Sequence, residues 1–158
     1  MADGSTAPEI QAAPHNIEAE QALLGALLVN NDVYDRVSSI IEPHHFYDPL
    51  HSRIFETAGR RIAKNALATP VTLKPFFEAD AAMAEIGGPA YLARLAGSAV
   101  SIFNVRDYAQ TIYDLALRRD LIRIGEEISS KASAVEVDSE PSDQIVDAEQ
   151  QLYTLGEK

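Results

Sequence analysis

Residues 104–134 read NVRDYAQTIYDLALRRDLIRIGEEISSKASA, and the spacing of their apolar side chains decides the fold class. Asn104 is a favoured N-cap residue, and the pattern after it predicts one helix to about Ala134, roughly 45 Å long at about 1.5 Å per residue. Two apolar stripes run along this helix. One holds Val105, Tyr108, Ala109, Ile112, Leu115 and Ile122; the other holds Tyr113, Leu117, Leu121, Ile124, Ile128, Ala132 and Val135. A helix lying on one core needs a single stripe. The second stripe, displaced toward the C-terminal half, predicts a helix that leaves its own core and meets something else.

Residues 135–139 (VEVDS) form a connector. Ser139 or Ser142, with Pro141 beside them, starts a last helix that bears Ile145, Val146, Ala148, Leu152 and Leu155. A long helix, a short loop and a second striped helix make an αα-hairpin. Such a hairpin cannot bury both faces alone, so association between copies is expected.

Upstream of Asn104 the pattern is also helical. Residues 1–13 are small, polar and non-periodic, and a mobile tail is expected there. Asn16 is a good cap, Glu18 and Glu20 place negative charge in the first turn, and Ala19, Ala22, Leu23, Ala26 and Leu27 repeat at helical spacing. Gly25 inside that run costs about 1 kcal/mol against Ala, which predicts a close helix crossing. Asn30-Asn31-Asp32 breaks the helix and caps a short second one with Val33, Val37, Ile40 and Ile41, ended by Pro43. Asp48-Pro49 opens a third, striped by Leu50, Ile54, Phe55, Ala58 and Ile62, with Asn65 able to stop it in the left-handed conformation. Thr72 caps a fourth containing Phe76 and Phe77, Gly87-Gly88-Pro89 is a break, and Pro89 starts a helix with Tyr91, Leu92, Leu95 and Ala96. No run of β-branched alternation stands between turn signals. The fold class is all-α: a compact multi-helix globule over residues 14–103, then a long-helix αα-hairpin over 104–156.

Composition narrows the function by exclusion. The 158 residues are 46% hydrophobic and contain no cysteine and no tryptophan. A disulfide scaffold, a thiolate zinc site and a cysteine nucleophile are therefore excluded. No apolar run approaches the ~18–20 residues of a membrane span, and the N-terminus lacks the regions of a secretory signal, so a cytoplasmic chain is expected. Thirteen basic side chains face 24 acidic ones, a formal charge of −11 that opposes a grip on nucleic acid by the isolated chain. There is no Gly-Lys-Ser/Thr and no Gly-x-Ser-x-Gly, which leaves no phosphate loop or serine elbow.

Two clusters hold possible chemistry. His44, His45, Asp48 and His51 look like metal ligands, and a His-based metal hydrolase is the enzyme alternative. The spacing speaks against it: Asp48 is wanted as a cap, His44 and His45 point apart, and His51 sits one turn into the helix, hydrogen-bonded inside the domain. Glu18/Glu20 and Glu126-Glu127 read as solvated helix faces. Arg118, Arg119 and Arg123 give the long helix its basic segment, either a solvated face balanced by Asp114, Asp120 and Glu127 or a contact for an acidic partner.

Several segments together resemble one family. Residues 14–28 (PHNIEAEQALLGALL) are similar to the opening helix of bacterial replicative DNA helicases of the DnaB family. Phe46-Tyr47, His51, Ile54 and Phe55 resemble its next block, and residues 86–96 (IGGPAYLARLA) its Gly-Gly-x-x-Tyr-Leu block. Asn104-Val105, Tyr108-Ala109, Leu117-Arg118-Arg119, Leu121-Ile122 and Ala148-Glu149 follow in the family's order. Ser101-Ile102-Phe103 departs from it, being bulkier than the small residues usual there.

The resemblance implies an N-terminal domain whose ATPase motor, with its ATP and Mg, would lie beyond Lys158. This chain would then hold no cofactor, metal or catalytic residue. It also implies that hairpins pair, that three pairs build a collar on a hexameric ring, that the collar docks primase, and that DNA is met only in the full ring. Ile112, Leu115 and Ile122 would hold the hairpin to its globule or its twin, and Leu121, Ile124, Ile128, Ile145 and Leu152 would form the seam between copies. Arg118, Arg119, Arg123 and an exposed end near Tyr91 are candidate edges of the primase surface. The helicase-binding C-terminal domain of a primase is the alternative within the interaction class.

Overall fold

Asn16 opens the first helix as its side chain predicts: the backbone is extended there, and Oδ1 accepts the Ala19 N–H at 3.0 Å. The computed structural model describes residues 12–99 and 104–157. Residues 1–11 of the tail expected over 1–13, and the Ser101-Ile102-Phe103 departure, lie outside the described residues.

Helix α1 (Ile17–Val29) lies at the centre of the molecule. It buries the predicted stripe and also Glu20, Leu24, Gly25 and Leu28. Helices α3, α6 and α7 pack against it, and a helix covered on several sides is apolar nearly all round. Gly25 marks the predicted close crossing, for a Cβ there would land on the Leu95 carbonyl oxygen of α6.

The connecting elements depart from expectation in small ways. In α2 (Val33–Val37) Asp32 makes no side-chain cap bond, and Asn30 accepts the Asp32 N–H instead. Ile40 and Ile41 lie past its end, and Pro43 opens a 3-10 turn, Pro43–His45. Asp48 caps α3 (Pro49–Ala63) through the Leu50 N–H at 2.9 Å, and Asn65 takes φ 59°.

Helix α4 (Pro70–Phe77) begins at Thr69, not Thr72. The Thr69 hydroxyl accepts the Thr72 N–H, and the Thr72 hydroxyl accepts the Thr69 N–H. Thr69-Pro70 therefore repeats the arrangement of Asp48-Pro49, and a cap that also fixes N3 outcompetes Thr72 alone. Leu73 and Phe77 are buried, whereas Phe76 is exposed.

The short α5 (Ala81–Glu85) carried no predicted pattern. Asp80 caps it through the Met83 N–H and pairs with Arg53 at 3.0 Å. Desolvation pushes the Asp80 carboxyl up, but the Met83 N–H and the Arg53 guanidinium outweigh it and hold the group below the usual carboxylate range. Gly87 and Gly88 take φ +105° and +79° before α6 (Ala90–Gly97), a left-handed pair that only glycine adopts without strain.

Helix α7 (Val105–Ser133) matches the predicted long helix, though Asn104 makes no side-chain cap bond. The core continues from the globule into α7 through Val105, Ala109 and Ile112, so residue 104 does not separate two cores. Helix α8 (Pro141–Gly156) starts after Glu140, with Pro141 as its first residue, and returns along α7. Neither Ser139 nor Ser142 is its cap. No strand occurs among the described residues, and none of their helices is long and apolar enough to cross a membrane.

Candidate functional site

The hairpin is where apolar surface and missing burial coincide. None of the described residues of α8 is buried, although Ile145, Val146, Leu152 and Tyr153 lie on it, all exposed. Ile128 and Ala132 of α7 face Ile145, Ala148 and Leu152 of α8 across a shallow trough. Polar ties close the hairpin around it. Lys131 pairs with Asp147 at 3.2 Å, and the Gln144 amide donates to Ser139 Oγ at 2.7 Å. An exposed pair of this kind contributes about 0–1 kcal/mol, so the hairpin is not held by charge.

The two predicted stripes separate differently from the expected division. Ile112 is 2% exposed and belongs to the globule's core. Ile124, expected in the seam between copies, is 3% exposed and lines a groove with Tyr113, Leu117 and Leu155 of the hairpin and His44 and His45 of the 3-10 turn. Leu115 is half-buried. Ile122, expected to hold the hairpin to its globule or its twin, is exposed, as are Leu121, Ile128, Ile145 and Leu152. The register explains it: the globule still reaches α7 as far as Arg119, and past it Ile124 is covered while Leu121, Ile122 and Ile128 are not.

The basic residues occupy three different situations. Arg118 is exposed. Arg123 pairs with Glu127 at 3.1 Å and with Asp120 at 3.7 Å. Arg119 is half-buried; its guanidinium donates to the Pro14 and His45 carbonyls, both at 2.7 Å, and lies over the Tyr47 ring. With His15 stacked on that ring at 3.9 Å, Arg119 clasps the entry to α1 and the 3-10 turn onto α7. It fastens the globule to the long helix.

Tyr91 is not at an exposed end. It is 9% exposed, and its hydroxyl meets His51 Nε2 at 2.7 Å and the Gln21 amide at 3.2 Å. Behind it His51, fully buried, turns Nδ1 to Glu20 at 2.8 Å. Glu20, read from the sequence as a solvated first-turn carboxylate, is 2% exposed. It accepts the Tyr47 N–H at 2.7 Å and the Asp48 N–H at 3.4 Å. Because Glu20 acts only as acceptor there, Nδ1 donates, and Nε2 shares its hydrogen bond with the Tyr91 hydroxyl. Burial pushes the Tyr91 phenol above its ordinary value, against the Gln21 bond that lowers it. A burial signal was present in the sequence, since Glu20 shares a face with Leu23, Leu24 and Leu27.

The histidine cluster is divided by the same contacts, although the His44 and His45 rings, expected to point apart, come together with centres 4.2 Å apart. His51 turns inward to Glu20 and Tyr91, Asp48 caps α3, and His45 Nδ1 accepts the Glu42 N–H at 2.9 Å. Among the described residues no three His, Cys, Asp or Glu side chains converge as metal ligands.

A family model described as the DnaB-like helicase N terminal domain matches residues 12–114. The chain belongs to that family. This DnaB-like domain is 41% identical over 142 residues to the replicative DNA helicase DnaB of Rickettsia typhi, covering 90% of this chain and 29% of that one. The Pasteurella multocida helicase is 28% identical over 145 residues, covering 92% of this chain and 31% of that one. The chain thus spans about three tenths of the length of the curated relatives it matches. The crystal structure of the N-terminal domain of DnaB helicase from Mycobacterium tuberculosis superposes with a TM-score of 0.81 at 24% identity, over 90% of this chain and 99% of that one. A solved DnaB-like replicative helicase gives 0.68 at 23% identity, over 89% of this chain and 31% of that one. These two likenesses concern the fold. Membership of the family sets the DnaB-like domain on the helicase side, not the primase side, of the two interaction readings.

Proposed function

We propose that this chain is the assembly and docking domain of a replicative DNA helicase, pairing through its hairpin with a second copy and offering the collar so formed to primase. The observation that carries the reading is α8, an amphipathic helix none of whose described residues is buried. Ile145, Val146, Leu152 and Tyr153, with Ile128 across the trough, leave an apolar surface that a solitary acidic domain has no reason to keep. The solved DnaB-like replicative helicase with the same fold is described together with its interactions with primase, which supports primase as the partner. In this reading three pairs form the collar of a hexamer, the ATP- and Mg-dependent motor belongs to the remainder of a helicase, and DNA meets this domain only in the assembled ring, in the bacterial cytoplasm. The interface residues are Leu121, Ile122, Ile128, Ile145 and Leu152, with Arg118 and Arg123 at the edges.

Sedimentation tests the seam. Ile128→Asp combined with Leu152→Asp is expected to shift the chain from dimer to monomer, with an unchanged circular dichroism spectrum because both side chains are exposed. Association that persists in the double variant refutes the seam. Titration of a purified primase C-terminal domain is expected to give saturable binding to the chain and at least about tenfold weaker binding to the double variant. Binding too weak to saturate in either protein removes primase and leaves assembly alone.

A further inference from the structure

A second exposed surface lies on α3 and α4, outside the hairpin. Residues 57–77 carry Arg60, Arg61, Lys64 and Lys74 and no acidic side chain, within a chain of formal charge −11. Arg60 and Arg61 lie in the last turn of α3, and Lys64 follows at its C-cap, four and three residues on from them. Beside them Leu67 is 60% and Phe76 57% exposed. Two contacts join these groups into one surface: Arg61 Nε donates to the Leu67 carbonyl at 2.7 Å, and its guanidinium lies 5.9 Å from the Phe76 ring centre.

The backbone beneath this surface is firmly held. Asn31 reaches across from the end of α1, donating to the Ala68 carbonyl at 2.7 Å and accepting the Ala68 N–H at 2.9 Å. The Thr72 hydroxyl donates to the Leu67 carbonyl at 2.8 Å. Ala68 is completely buried while its neighbour Leu67 projects into solvent. A free loop would tuck its leucine away; here the hydrogen bonds fix it outward. A preordered apolar group costs little further entropy when something binds it.

We infer that this cationic, apolar surface of Arg60, Arg61, Lys64, Leu67 and Phe76 is a docking site for a partner peptide that interleaves apolar and acidic side chains. Charge complementarity selects the partner. Three cations, of which Arg60 lies 3.6 Å from Glu56, attract carboxylates. Leu67 and Phe76 supply the desolvated anchors around which such contacts gain affinity. Nucleic acid suits the surface less well. Arg61 already covers one face of the only aromatic ring in the group, Leu67 cannot stack a base, and the net charge repels phosphate. This reading is independent of the hairpin and of primase.

Amide NMR on the isotope-labelled chain tests it, with the synthetic peptide Asp-Glu-Leu-Asp-Phe-Glu-Leu-Asp as probe. Its lysine-for-acid counterpart and an oligo-thymidylate of about 15 nucleotides are the comparisons. The acidic peptide is expected to move amides within residues 57–77 and to bind at least about tenfold more weakly to Arg60→Glu/Lys64→Glu and, separately, to Phe76→Ser. All three side chains are exposed, and an unchanged amide spectrum elsewhere verifies the fold. Absence of shifts, shifts confined to the hairpin, or equal shifts from the lysine peptide overturn the inference. So does oligo-thymidylate moving these amides in its place. Concentration-dependent shifts of the same amides without peptide overturn it as well, by showing that a second copy covers the surface.

Discussion

Glu20→Ala is expected to lower the free energy of unfolding by about 3–5 kcal/mol, read from urea denaturation followed by far-UV circular dichroism. The carboxylate is 2% exposed and serves three donors: the Tyr47 and Asp48 N–H groups and His51 Nδ1. Alanine leaves all three facing a cavity, and a buried donor without an acceptor costs about 1–3 kcal/mol. Domains of this size are stable by about 5–15 kcal/mol, so the loss is a large share of the total. Glu20→Gln keeps one acceptor oxygen and is expected to lose less. If the alanine variant unfolds at the wild-type urea midpoint, the buried network is not a stabilising unit. The network draws Gln21 of α1, His51 of α3 and Tyr91 of α6 into one chain of hydrogen bonds, so the same variant should also raise amide exchange in α6.

Gly25→Ala is expected to destabilise by about 2–3 kcal/mol, although alanine is the better helix former by about 1 kcal/mol. The added Cβ would land on the Leu95 carbonyl oxygen, with the Ala99 nitrogen at 3.3 Å. Backbone atoms cannot rotate away as a side chain end can, so α6 has to slide off α1 and loosen Leu92 and Leu95, both buried. Gly125→Ala supplies the contrast: nothing lies within 4 Å of its new Cβ. There the propensity gain stands alone, and the melting temperature should hold or rise slightly. A Gly25→Ala variant that melts with or above the wild type would mean that the crossing of α1 and α6 relaxes without cost.

Features governed by a few neighbouring atoms were legible from the sequence. Asn16 before α1, Asp48-Pro49 before α3, Asn65 after it and Gly87-Gly88 before α6 each satisfy a local steric or hydrogen-bonding demand, so residue type alone identifies them. The same rule applied to Thr69-Pro70 locates the start of α4. Alternation of apolar residues likewise identified α7, the hairpin and the Gly25 crossing, because helical periodicity depends only on the chain's own geometry.

Which face of each helix is covered, and by what, depended on elements distant in the chain. The periodic pattern made Glu20 a solvated carboxylate, but 27 to 31 residues later come the two N–H groups and the imidazole that hold it inside. The family resemblance set an exposed end near Tyr91, but His51 and Gln21, 40 and 70 residues earlier, bury its hydroxyl in hydrogen bonds. Arg119 reads as one more charge on an exposed helix until Pro14 and His45 bring their carbonyls to it from 105 and 74 residues away. Ile112 and Ile122 share a stripe, yet one is core and the other exposed because the globule ends between them. Spacing along a helix fixes which side chains share a face; only the closure of the chain in three dimensions brings up the groups that lower or raise the cost of burying them.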